Sequence, residues 1–432
     1  MDLQTLYNYY ISSPYVTIDS REIVNYGIFF GLKGDNTDGG KYAKQALDNG
    51  CTLAVVGDDK YVGDKRIIKV QDVLRALQDL AKHHRERMNI PVLGLTGTNG
   101  KTTTKELMVK VLESRFNVGF TKGNLNNHIG VPLTLLNMNA NIEIAIVEMG
   151  ANHRGDIQEL CDIALPTHGL ITNIGKAHLE GFGSEEVILQ TKCELFESLA
   201  ERDGHAFINA RDERLVACSK RLSLNSSFFH SEESVYANIP EQHTPLLTIE
   251  LVYGTQSRKV NSHLSGVYNA SNMVAAAAVG LAFGISLNTV SEQLSGYVPH
   301  NNRSQFTRTE SNQLIVDAYN ANPTSMLLAI ENLRNIQMNG VGKLLILGDM
   351  FELGDESLLE HQKIVDTLNG NSGEKVWLVG EMFGRTDYPP NFKHFPSTDV
   401  LLDYIKSDTI KDKLILIKGS RGMKLERCLE LL

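Results

Sequence analysis

The chain has 432 residues, 42% of them hydrophobic and 22% charged, the proportions of a globular protein with a core large enough for two or three domains. Its net charge of −9 argues against non-specific nucleic-acid binding, which depends on neutralising phosphates, but leaves room for a local basic pocket. No uninterrupted apolar run approaches membrane-spanning length, residues 1–10 have no cationic start, and the scattered Cys51, Cys161, Cys193, Cys218 and Cys428 show no Cys-x-x-Cys spacing, so free thiols, a cytoplasmic location, no membrane insertion and no zinc are expected.

Residues 1–85 read as a small α/β unit. Strand-like runs at 15–18, 28–32, 53–56 and 67–70 alternate with a helical stretch at 41–49, and a charge-rich helix at 72–87 leads onward. From residue 90 the pattern is strictly strand–helix. Strands are predicted at Val92–Thr96, Ile144–Glu148, 169–173 and 206–209, and helices at 102–115, 155–164 and 185–199. Such alternation signals a parallel sheet covered on both faces, with functional loops at the C-terminal strand ends. The runs 246–252 and 259–264 read instead as antiparallel strands, followed by an alanine-rich helix at 270–283. After a short polar hinge at 300–304, strands at 314–317, 344–347, 375–379 and 414–417 with helices between them read as a smaller doubly wound, Rossmann-like domain. The fold class is therefore α/β, in three domains at 1–85, 86–303 and 304–432.

The most informative segment is Gly94-Leu-Thr-Gly-Thr-Asn-Gly-Lys-Thr-Thr-Thr-Lys105. A strand runs into a glycine-rich turn that opens a helix, the layout of a nucleotide phosphate cradle. Backbone N–H groups from Gly97, Thr98, Asn99, Gly100 and Thr103 can converge on phosphate oxygens, helped by the helix N-terminus. Lys101 can reach the β- and γ-phosphates, and the Thr102 hydroxyl can ligate Mg²⁺, so ATP is the expected nucleotide. The common pattern wants glycine five residues before Gly100, where Leu95 stands. A glycine-rich turn that binds nothing is the bland alternative, and Gly-Lys-Thr straight after a strand weighs against it.

Glu148 ends its strand where a carboxylate can hold Mg²⁺. His178 follows another strand end; from position alone, a site role and a structural role both stay open. Lys192 sits on a helix and, taken alone, reads as a solvated charge.

Together these segments resemble the Mur ligase family, the amino-acid ligases of peptidoglycan synthesis, over nearly the whole chain. The family's Gly-x-x-Gly-x-x-Gly-Lys-Thr loop matches 94–102 and accounts for Leu95. Residues 123–132 resemble its asparagine-rich segment near the reacting carboxyl, which implies substrate contacts from Asn124 and Asn127. Residues 147–150 and 173–179 resemble its metal-site segments. The resemblance implies two Mg²⁺ ions served by Thr102, Glu148, His178 and Lys192, with Lys192 carrying CO₂ as a carbamate. Lys101, Glu148, His178 and Lys192 are then the catalytic set. Residues 266–272 resemble the segment near the adenine, with Tyr268 in place of a histidine and Asn269 retained. Arg303 matches the hinge arginine, and Asp317 an aspartate that bonds the ATP ribose after closure.

Segments 317–326, 347–354 and 418–421 resemble those of the member that adds D-alanyl-D-alanine to UDP-N-acetylmuramoyl-tripeptide, which implies substrate contacts from Tyr319, Asn320, Asn322, Ser420 and Arg421. Val316 and Ala318 replace the acidic residue and serine usual there. Segments 19–21 and 29–35 resemble the UDP-binding lobe and imply Asp19, Ser20 and Arg21 as contacts. The resemblance implies an ADP-forming, ATP-dependent amide ligase working through an acyl phosphate, as a monomer. The alternatives are the diamino-acid-adding ligase of the family, whose Asp-Asn-Pro-Arg segment is absent here, a folylpolyglutamate synthase, and an ATP-switched binding protein without ligase chemistry.

Overall fold

Three sheets organise the chain in succession. The computed structural model describes residues 2–432 apart from 25, 36, 178, 242, 243, 339, 371, 372 and 409. The first sheet is parallel and takes the strands Val16–Thr17, Gly27–Phe30, Cys51–Val56 and Ile67–Lys69 in chain order. The helical stretch expected at 41–49 divides into a 3₁₀ turn at Gly39–Tyr42 and a helix at Ala43–Asp48. A helix at Leu3–Ser12, N-capped by Asp2, was not legible among its many tyrosines, which are weak helix formers. It ties the lobe down: Tyr10 is 1% exposed, and its hydroxyl donates to the Leu136 carbonyl at 2.7 Å. The next helix, Val73–Arg85, is anchored in the same way, its Arg85 donating to the carbonyls of Ala164 at 2.8 Å and Leu165 at 3.0 Å.

The second sheet is six-stranded, with the spatial order Asn225–Phe229, His205–Asn209, His168–Ile171, Val92–Thr96, Ile144–Glu148 and Val118–Phe120. All its pairings are parallel. Val92–Thr96 and Ile144–Glu148 are buried along their whole length, as expected of strands covered on both faces. The two edge strands are short or polar, which hid them from the hydrophobic pattern. The strands Val92–Thr96, Ile144–Glu148 and His168–Ile171 lie side by side and point the same way, so the loops that follow them meet at one edge. Helix Lys101–Leu112 packs on the alanine-rich helix Asn269–Ala282; a Cβ on Gly280 would come within 2.4 Å of Val111 Cγ1.

The third sheet has nine strands. An antiparallel run, Tyr236–Asn238, Leu246–Tyr253, Gln256–Ser265, Gln305–Arg308 and Gln313–Asp317, meets a parallel run, Lys413–Lys418, Gly342–Gly348, Glu374–Val379 and Lys393–Phe395. The sheet therefore continues across residue 303, where the sequence suggests only a hinge. The junction is a single residue pair, Leu264 with Gln305. Among the described residues, no helix is long and apolar enough to cross a membrane.

One ring cluster predicts how stability depends on pH. His168 packs against Phe207 and Phe283, with centroids 6.3 Å and 5.2 Å away. Burial, and secondarily the neighbouring His205, pull its pKa from 6.5 down to about 4. The unfolded chain therefore takes up this proton first, so the contribution is whole above pH 6.5 and is lost as the pH falls toward 4. Thermal melts should show a fall in Tm across that window, and His168→Phe should make it shallower; an unchanged slope in the variant would contradict this account.

Candidate active site

Sequence dictates the phosphate loop through its glycines. Gly97 has φ 139° and Gly100 has φ 77°, conformations that side chains resist. Space forbids a side chain as well: a Cβ on Gly97 would lie 2.0 Å from Thr172 Oγ1, and one on Gly100 would lie 2.6 Å from Asn272 Oδ1. The neighbouring strand end clamps the loop. Thr98 N–H donates to the Asn173 carbonyl at 2.9 Å, Asn99 N–H to Asn173 Oδ1 at 3.0 Å, and Thr172 Oγ1 to the Asn99 carbonyl at 2.7 Å. Lys101, the first residue of the helix, donates to the Gly97 carbonyl at 2.6 Å and the Thr98 carbonyl at 3.2 Å. Burial holds its pKa below the usual lysine value; Glu148 opposes that shift and Arg303 adds to it.

Glu148, 2% exposed, is the hub of this edge. Thr102 Oγ1 donates to its Oε2 at 3.1 Å, and Asn126 Nδ2 to its Oε1 at 2.9 Å. Asn126 lies between the expected Asn124 and Asn127, and only the structure singles it out. Asn127 Oδ1 accepts from the N–H groups of Ile129 and Gly130 at the start of helix Gly130–Leu136, while Asn124 is exposed and lines the cavity.

Lys192 is not the solvated charge that its position alone suggests. It is 3% exposed on helix Glu185–Ala200 and lies 5.5 Å from the Phe182 ring centroid. Burial, and then the charge of Lys101, pull its pKa from 10.5 down to about 7, against weaker opposition from Asp156 and Glu194. Its carboxylate neighbours are engaged elsewhere: Glu194 accepts the N–H groups of Gly155 and Gln158, and Glu197 pairs with Arg221 at 3.2 Å. His178 lies outside the described residues.

The C-terminal residues close the opposite wall. Asn322 N-caps helix Pro323–Asn335 with its Oδ1, and its Nδ2 donates to Asn99 Oδ1 on the phosphate loop at 2.7 Å. Asp317 accepts from Ser304 N–H at 3.1 Å and from the buried Lys418 ammonium at 2.6 Å. The Arg303 guanidinium stacks 3.7 Å from the Tyr319 ring centroid, and Arg421 Nη1 lies 3.3 Å from the Tyr319 hydroxyl. Asn269 is buried, donating to the Ser265 carbonyl and accepting from Asn272, while Tyr268 shares a hydrogen bond with Ser304. Between these walls lies a cavity of about 610 Å³, lined by Thr98–Thr103, Asn124, Asn126, Asn127, Glu148, Asn269, Arg303, Asp317, Tyr319, Asn320 and Asn322, among others.

Other expected residues stand outside that lining. Asp19 and Arg21 form a two-pronged ion pair at 2.8 Å and 2.7 Å, and Ser20 donates to Gln45, all in the first lobe. Ser420 Oγ accepts Phe351 N–H at 2.8 Å. The 347–354 segment has a structural use: Asp349 accepts the N–H groups of Met382 and Phe383, and His361 Nε2 accepts that of Met350.

Three family models match the chain in turn: the Mur ligase family catalytic domain over 14–85, the Mur ligase middle domain over 95–280, and the Mur ligase, glutamate ligase domain over 302–421. The UDP-N-acetylmuramoyl-tripeptide–D-alanyl-D-alanine ligase of Bacillus subtilis is 36% identical over 426 residues, 95% of this chain and 91% of that protein. MurF from Acinetobacter baumannii superposes with a TM-score of 0.85 at 30% identity, covering 96% of this chain and 92% of its own. MurF ligase from Thermotoga maritima in complex with ADP superposes with a TM-score of 0.86 at 26% identity, covering 96% of each chain.

The loop geometry yields a test. Gly97→Ala would force a Cβ to within 2.0 Å of Thr172 Oγ1 at a φ of 139°. Calorimetry should find ADP affinity lowered about 5- to 150-fold, together with a reduced Tm, since backbone strain of this kind costs about 1–3 kcal/mol. Native affinity in the variant would mean that the loop does not need this conformation.

Proposed function

The chain belongs to the Mur ligase family, and we propose that it uses ATP to join D-alanyl-D-alanine to UDP-N-acetylmuramoyl-tripeptide, releasing ADP and phosphate, in peptidoglycan precursor synthesis. The observation that carries this reading is a single cavity with the phosphate loop and Glu148 on one wall and Tyr319, Asn320 and Asn322 on the other. A phosphoryl donor and an acceptor amine can meet there. Near full-length similarity to the Bacillus subtilis enzyme supports the choice of acceptor over a diamino acid.

In the first step a terminal carboxylate oxygen of the tripeptide attacks the γ-phosphorus, the bond to the β,γ-bridging oxygen breaks, and ADP leaves. In the second, the dipeptide amine attacks the acyl carbon, phosphate leaves, and the amine proton is lost. Charge gathers on transferring oxygens in both steps. Lys101, released from the Gly97 and Thr98 carbonyls, would turn to the phosphates; Arg303 and the loop N–H groups of Gly97, Gly100, Thr102 and Thr103 would add positive potential, while Thr98 and Asn99, whose N–H groups are held by Asn173, would shape the loop around ATP. Asn269 would sit by the adenine and Asp317 by the ribose. Asn124 and Asn127, with Asn126, would orient the reacting carboxyl. Tyr319, Asn320, Asn322, Ser420 and Arg421 would hold the dipeptide, and Asp19, Ser20 and Arg21 the UDP moiety. The lobes 1–85, 86–303 and 304–432 would divide that work, excluding water as they meet around the acyl phosphate.

The donors fit Mg²⁺. Glu148 and Thr102 offer hard oxygens beside the phosphate loop. That suits an ion that takes most of its ligands from phosphate and water. Thr102, Glu148, His178 and Lys192 would hold two such ions, which would neutralise charge on the transferring phosphoryl oxygens. Lys192 would join this set as a carbamate: its pKa of about 7 leaves much of the amine neutral, and the neutral nitrogen could add to the carbon of CO₂ with loss of a proton, which would supply an anionic oxygen ligand in place of an ammonium. The setting proposed is a cytoplasmic monomer.

Sustained phosphate release should require both UDP-N-acetylmuramoyl-tripeptide and D-alanyl-D-alanine; faster ADP release with a diamino acid and the dipeptide-stage precursor would overturn the choice of acceptor, and sustained release with neither substrate present would favour an ATP switch. Lys101→Ala should lower kcat more than ~100-fold, the scale for one preorganised donor. Lys192→Ala should lose most activity and regain part of it with added formate or acetate; full activity without them would exclude the carbamate.

A further inference from the structure

The phosphate-loop helix carries a second buried lysine that the mechanism above leaves unused. Lys105 lies one turn beyond Lys101 and is 2% exposed. Its ammonium donates to the Thr121 carbonyl at 2.8 Å and stands 3.6 Å from Glu148 Oε2. Thr121 also holds Glu148, through its side chain: Thr121 Oγ1 accepts Glu148 N–H at 3.0 Å. Lys105 thus grips both the carboxylate and the residue that fixes the main chain beneath it.

Burying an ammonium is costly, and a methionine would fill the same space without that penalty. The placement says what the charge is for. Glu148, Thr102 and Asn126 all line the cavity, whereas Lys105 does not. Lys105 therefore approaches the carboxylate from behind. Thr102 and Asn126 are neutral partners that line the cavity with Glu148, Asn126 holding Oε1 at 2.9 Å and Thr102 reaching Oε2 at 3.1 Å, so Lys105 is the charged partner that stands outside the cavity lining.

We infer that Lys105 is a positioning residue: its buried ammonium holds the Glu148 carboxylate in the orientation that presents it to the divalent cation accompanying the nucleotide. The inference rests on the reading of Glu148 as a ligand of that cation. Partners of this kind behind a metal ligand typically govern metal affinity by about 10–100-fold.

The test is calorimetric binding of ADP at stepwise Mg²⁺ concentrations and in EDTA, for the native protein and for Lys105→Met, Lys105→Arg and Glu148→Gln. Lys105→Met should raise the Mg²⁺ concentration at half-effect about 10–100-fold while leaving ADP affinity in EDTA unchanged, and Lys105→Arg should restore most of the loss. A role in packing alone would change Tm, or ADP affinity with and without Mg²⁺ alike, and would not be rescued by arginine. A native Mg²⁺ midpoint in Lys105→Met, with a shifted one in Glu148→Gln, would overturn the role of Lys105 and leave the metal reading intact. A native midpoint in Glu148→Gln would overturn both. Should Lys105→Met fail to fold by circular dichroism, Lys105→Gln, which keeps a donor for the Thr121 carbonyl without the charge, carries the same expectation.

Discussion

The site is governed by the need to keep positive charge out of water while leaving it free to act on something else. Lys101, Lys105, Lys192 and Arg303 gather at this edge with few carboxylates to answer them: Glu148 acts on Lys101 and stands 3.6 Å from Lys105, while Asp156 and Glu194 only weakly oppose the loss of Lys192's charge. Each cation meets that constraint differently. Lys101 rests on two carbonyls of its own loop, neutral partners that leave its charge unpaired. Lys105 is paired and out of reach of the cavity. Arg303 lies on an aromatic face, and its Nε is buried without a hydrogen-bond partner. Lys192 meets it through a pKa that burial and the charge of Lys101 bring down to about 7.

The same constraint shapes the frame. A loop of this curvature needs the neighbouring strand end to hold it, and Thr172 and Asn173 do so through backbone and side chain alike. The hinge is held from both sides: Glu106, on the phosphate-loop helix, accepts from Tyr297 at 2.5 Å and from Asn301 at 3.0 Å, while Asp317 takes Ser304 N–H. Asn302 and Ser304 adopt φ values of 55° and 48°, unusual for residues with side chains, so the linker is held in shape by these partners rather than by its own preferences.

How much of this was legible follows from physics residue by residue. The strands Val92–Thr96 and Ile144–Glu148 were read to the residue because a doubly covered strand is an unbroken apolar run with turn signals at its end. Gln305–Arg308 was missed because its Gln-Phe-Thr-Arg sequence is only half-buried at an irregular junction. The loop residues were legible because phosphate geometry restricts sequence tightly. Lys192 was visible only through family resemblance, since a helix position says nothing about burial. Asn126 and Lys105 gave no signal: one is an asparagine among several, the other a lysine on a helix, and only three-dimensional placement puts both against Glu148.

The junction of Leu264 with Gln305 has a mechanical meaning. A ladder of many rungs resists shear because its hydrogen bonds must break together. A ladder of one rung is a seam. The nine-stranded sheet is thus two ribbons joined by one residue pair, with Asp317 and Lys418 on the second ribbon, and the ladder itself adds little resistance to shear at that join. Stiffness within each ribbon and compliance between them would let a nucleotide be gripped to fractions of an ångström and still be let go.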